Sequence, residues 1–64
     1  MSRIEKLNKT NVTNIINTKI TDVCFEKDGV SQKLILTNEQ GFKLHCSAIL
    51  LGYFVQSVFE LEYP

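Results

Sequence analysis

Between Lys19 and Ala48, apolar residues recur at every second position in three short runs. These are Thr21-Asp22-Val23-Cys24-Phe25, Leu34-Ile35-Leu36 and Phe42-Lys43-Leu44-His45-Cys46. A two-residue period puts alternate side chains on opposite faces of a strand. Lys27-Asp28-Gly29 and Asn38-Glu39-Gln40-Gly41 separate the runs; they are turn clusters, because Gly takes up positive φ without steric cost. The pattern predicts strands from Lys19 or Ile20 to Glu26, from Lys33 to Thr37, and from Phe42 to about Ala48. Connections this short join antiparallel neighbours. Val23, Phe25, Leu34, Leu36, Phe42, Leu44 and Cys46 share one parity and form the expected core face. Ile20, Asp22, Cys24, Glu26, Lys33, Ile35, Lys43 and His45 fall on the other.

After a junction at Ile49-Leu50-Leu51-Gly52, Tyr53 to Leu61 reads as a fourth strand. Val55, Phe59, Leu61 and Tyr63 share one parity and Phe54 and Val58 the other, so both faces are apolar, and such strands are covered on both sides. At the other end, Ser2 and Glu5 have the spacing of a capping box. Ile4 and Leu7 then share one face of a short helix, and Val12, Ile15 and Ile16 resume a helical spacing. Asn, Thr and Ile are weak helix formers, which limits this segment to a turn or two laid over the sheet. The expected fold is α+β or mainly β, in one small domain over residues 1–64. A helical or irregular segment (1–18) precedes a four-stranded, mostly antiparallel meander (19–63).

Charge narrows the function classes. Seven basic and seven acidic residues leave a net charge of zero, which argues against an electrostatically driven nucleic-acid binder. The distribution is uneven. Arg3, Lys6, Lys9 and Lys19 face only Glu5 in the first nineteen residues, while the last twelve carry Glu60 and Glu62 and no base. Head and tail are expected to attract, within one chain or between two. The start mixes charged and apolar residues instead of building an apolar leader. The longest greasy run, Ala48-Ile49-Leu50-Leu51, is far too short to cross a membrane. A cytoplasmic protein with no membrane partner is the expectation.

The candidates for metal or thiol chemistry are Cys24, His45 and Cys46. No Cys-x-x-Cys is present, structural zinc sites take four ligands, and His45 and Cys46 are adjacent in a strand and so point apart. A Cys24–Cys46 disulfide is not expected, since the two fall on opposite parities. Asp22 and Glu26 lie about 13 Å apart along an extended strand, beyond the roughly 5–9.5 Å of paired glycosidase carboxylates. They are expected to meet Lys33 or Lys43 as cross-strand pairs. No phosphate-binding loop, His-Glu-x-x-His or Gly-x-Ser-x-Gly occurs. The chain reads as no enzyme, with no catalytic residue, metal ligand or cofactor.

The leading expectation is a protein–protein interaction protein that forms a homodimer through a sheet face or edge, or docks on another protein. A chain of this size buries only about 60% of its unfolded surface, so its own core is thin. Ile20, Cys24 and Ile35, ringed by charged residues and His45, have the apolar centre and polar rim of an interface. With Phe54, Val58 and Tyr63 they make up the expected contact set. Two alternatives stand beside it. One is a single-strand nucleic-acid binder, with Tyr53, Phe54 and Tyr63 as stacking platforms beside Lys33, Lys43 and His45. The other is a metal- or thiol-dependent protein using Cys24, His45 and Cys46.

Overall fold

The computed structural model describes residues 3–64. Its strands are β1 (Ile4–Lys6), β2 (Ile20–Asp28), β3 (Ser31–Asn38), β4 (Lys43–Leu51) and β5 (Phe54–Glu62), with one 3-10 turn at Asn11–Asn14. They form an antiparallel sheet in the order β1-β5-β4-β3-β2. The four-strand meander is as the alternation predicts, each strand running a little further than its apolar core. The sheet stays open, with β1 and β2 on opposite edges.

The hairpins follow from their turn residues. Gly29 and Gly52 have φ of +59° and +61° and each opens a two-residue connection, Gly29-Val30 and Gly52-Tyr53. Such tight hairpins need positive φ at the first central position, which only Gly reaches without strain. The junction read from the sequence at Gly52 is therefore a tight hairpin turn.

The N-terminal expectation is corrected. Ile4–Lys6 is a strand, paired with β5 as Ile4↔Glu62, Glu5↔Leu61 and Lys6↔Glu60. Leu7 N–H donates to Phe59 O at 2.9 Å and Tyr63 N–H to Arg3 O at 2.7 Å. The first half of the suspected capping box, Ser2, lies outside the described residues. The basic head and the acidic tail thus lie side by side within one chain, with Lys6 opposite Glu60. Arg3 also sits 3.9 Å from the centre of the Tyr63 ring, a cation–π contact.

Residues 7–19 link β1 to β2 at the opposite edge. Asn8 Oδ1 accepts from the Thr10 and Asn11 N–H groups, both at 2.8 Å. Asn11 Oδ1 accepts in return from Asn8 N–H at 2.8 Å, while Asn11 Nδ2 donates to Lys6 O at 2.9 Å. Short Asn side chains that bond nearby backbone hold turns in place of longer helices. Further on, Asn38 Nδ2 donates to Asn14 O (3.0 Å) and to Thr18 Oγ1 (3.1 Å). Asn38 has the parity of Leu34 and Leu36, so the linker crosses that side of the sheet.

Two rows of cross-strand partners run along this linker side: Val23–Leu36–Leu44–Leu61 and Phe25–Leu34–Cys46–Phe59. The predicted face assignment holds in register, but its depth is corrected. Leu61 is the one fully buried large side chain among the described residues, whereas Phe25 is 61% exposed and Val23 also stands mostly in solvent. The linker crosses only at the Asn38–Leu61 end, so the far half of the side has no cover.

Candidate interaction surface

The open side of the sheet carries most of the expected contact set. Cys24, Ile35 and His45 are successive cross-strand partners, followed by Glu60. Glu26 stands opposite Lys33, as the charge pattern predicts. Ile35 and His45 are half-buried, and His45 Nε2 lies 2.8 Å from Glu62 Oε1. Phe54 and Val58 have the parity of Glu60 and Glu62 and share this side, both exposed. Two members of the set fall elsewhere. A bulge between Ile20 and Asp22 sets Ile20 opposite Asn38 and takes it out of the Asp22–Cys24 series. Tyr63 belongs to the linker side, where its ring meets Phe42 edge-on at 5.4 Å.

The metal and thiol candidates do not converge. Cys24 and His45 share a side but have β3 between them, about two strand spacings or 10 Å. Cys46 points to the linker side, both cysteines are unpaired, and no group of three metal-ligating side chains gathers among the described residues. Burial pushes the Cys46 thiol above its ordinary value, which makes it less of a nucleophile at neutral pH.

Comparison with protein-family models, with curated proteins and with solved structures finds no match for the chain.

An uncovered apolar region spans the far half of the linker side and the adjoining start of β5. Val23, Phe25, Leu50, Val55 and Phe59 are all exposed there. Between Phe25 and Phe59 the small side chains of Ala48 and Ser57 leave a hollow of about 260 Å³, floored by Leu34 and Cys46. At the β4–β5 hairpin, Tyr53, Phe54 and Val55 are 104%, 78% and 68% exposed, the highest values of any large apolar residues described. The contact set read from the sequence includes Phe54 but misses its neighbours. The signal for them was the two-faced apolar pattern of the fourth strand.

No helix among the described residues is long and apolar enough to cross a membrane.

Proposed function

We propose that this chain is a small non-enzymatic interaction protein that associates with a second copy of itself in the cytoplasm. The observation that carries the reading is the apolar surface left bare over the start of β5 and the adjoining half of the linker side. Monomers rarely leave a contiguous apolar patch of more than a few hundred Å² in water. Total exposure supports it. A monomer of 7.3 kDa is expected to expose about 4,200 Å², whereas this chain exposes 4937 Å². The excess, roughly 740 Å², is close to the ~800 Å² that each partner covers in a standard interface. Two unpaired thiols suit a reducing compartment.

Sedimentation equilibrium over a concentration series tests the reading. A concentration-dependent rise to twice the chain mass is expected. A 7.3 kDa species at every concentration would remove self-association. Recovery of nucleic acid and no protein from a cell extract would favour the single-strand binder instead.

A further inference from the structure

The two edges of the sheet are built differently. β2 exposes its whole length, but Asp22, Glu26, Lys27 and Asp28 stand on it and a bulge distorts its start. Charges and bulges are how sheet edges discourage foreign strands. β5 has no such guard. β1 and Leu7 close its edge from Phe59 onward, and the Gly52-Tyr53 turn ends it at the other side. The free stretch is Phe54-Val55-Gln56-Ser57-Val58, with no charge, Gly or Pro.

We propose that a second copy of the chain pairs here, β5 against β5 in antiparallel register, about a two-fold axis at Val55. The proposal rests on the self-association reading and names its seam. On the β1 side, Phe59 accepts from Leu7 and Tyr63 donates to Arg3, so the odd-numbered residues of β5 direct their backbone groups outward. Val55 and Ser57 therefore present free N–H and C=O groups to a neighbour. With the axis at Val55, the two copies of that residue exchange both hydrogen bonds, and Tyr53 of each copy comes opposite Ser57 of the other. Centring the axis on Gln56 instead would set Tyr53 opposite Phe59 of the partner copy, the place that Leu7 already holds.

The side chains match the same register. A notch of about 440 Å³ opens where β1 leaves the edge, lined by Leu7, Gln56, Ser57, Val58 and Phe59 among others. The pairing delivers the fully exposed Tyr53 ring of one copy to the notch of the other, twice by symmetry. It also covers Phe54 and Val55, so the most exposed large apolar residues among the described ones lie on the seam. The occupant is a second β5 because the gap is short. A longer extended peptide would run into Leu7, whereas β5 turns away after Phe54. Closed two-fold contacts use one patch on both copies, as this one does.

The test is a charge swap at the axis, read by sedimentation equilibrium. Val55→Lys and Val55→Glu each set two like charges face to face and should weaken the dimer by roughly tenfold or more. An equimolar mixture of the two should restore it. Tyr53→Ala, on an exposed turn, should weaken the dimer with β-type circular dichroism unchanged. Phe25→Ser, three strand spacings or about 14 Å from β5 and further still from the axis at Val55, should leave the dissociation constant within about twofold, since additivity holds at that range. A dimer indifferent to Val55→Lys, or one lost and not restored on mixing, overturns the seam while leaving self-association standing. Loss of the dimer in Phe25→Ser alone would put the interface on the bare half of the linker side instead. A wild-type chain that is monomeric at every concentration overturns the seam together with the reading it rests on.

Discussion

Asn38 shows how much one side chain can hold in a thin fold. It is 2% exposed. Its Oδ1 accepts from the N–H groups of Gln40 (3.1 Å) and Phe42 (2.9 Å), closing the β3–β4 loop. Its Nδ2 holds the linker at Asn14 and Thr18. Asn38→Ala would strand buried donors and acceptors on both sides, at about 2–4 kcal/mol in total. That is a large part of the stability of so small a domain, so a fall in the urea midpoint of that size is expected. Asn38→Asp keeps the acceptors for the loop and loses the donors for the linker, and should fall between the two. Half of this was legible beforehand. Asn38-Glu39-Gln40-Gly41 reads as a turn, and Gly41 has the expected positive φ of +90°. The contact with Asn14, far away in sequence, leaves no local trace. The cysteines give a second prediction at this scale. Cys24 is exposed, while the Cys46 thiol is half-buried and held above its usual range by desolvation. A raised value means less thiolate at any given pH. Iodoacetamide at neutral pH should label Cys24 first, with Cys46 following only as the pH rises past the ordinary thiol range. Equal rates, followed by mass spectrometry, would contradict the burial.

At the scale of elements, β1 is the strand that sequence periodicity could not see. A three-residue strand is too short to show alternation, and Ile4 and Leu7 fit a helical spacing equally well. What makes Ile4–Lys6 extended is β5, whose outward backbone groups would otherwise face water at the end where the tail is acidic and the head basic. β1 also acts as a guard. Glu5 lies opposite Leu61 and shares the odd parity of Leu7 and Arg3, so Glu5→Pro removes a donor aimed at β5 and loosens the strand. The free edge of β5 would then run on toward Glu62, and unguarded edges template aggregation. Light scattering at a fixed concentration should rise faster for Glu5→Pro than for the wild type. Lys6→Pro, whose N–H points away from β5, should change it little. The site was half-legible for a related reason. Strand parity placed Val23, Phe25, Leu34, Leu36, Leu44 and Cys46 on one side, as observed, but β5, apolar on both parities, could not be assigned to either side in advance. How far residues 7–19 would cover them depends on where the linker crosses, and Asn38 sets that crossing. The contact set read from the sequence therefore centred on the open side, where Ile35 and His45 are half-buried, and left out Val23, Phe25, Tyr53 and Val55, which stand exposed on the other side and at the β4–β5 hairpin.

As a whole molecule the chain is longer and looser than its length requires. Its radius of gyration is 12.6 Å and it extends 37 × 25 × 23 Å. A compact domain of this length is expected near 10.7 Å, roughly. The difference has the same origin as the excess exposed area: one sheet whose linker covers only one end of one side. A second copy supplies surface that the chain cannot supply for itself, and this has a thermodynamic signature separate from mass. If folding is coupled to pairing, unfolding releases two chains, and mass action makes the midpoint depend on concentration. Raising the concentration about a hundredfold adds about 2.7 kcal/mol per dimer. With an unfolding entropy of about 2.1 cal/mol/K per residue over two chains, the thermal midpoint should rise by about 10 °C. Calorimetry at the two ends of that range measures it. In Val55→Lys the midpoint should be lower and should no longer move with concentration, because the like charges at the axis remove the pairing while leaving β4–β5 intact within the chain. A wild-type midpoint that stays fixed over the whole range would mean that the open sheet is stable alone and that its bare side has no need of a partner.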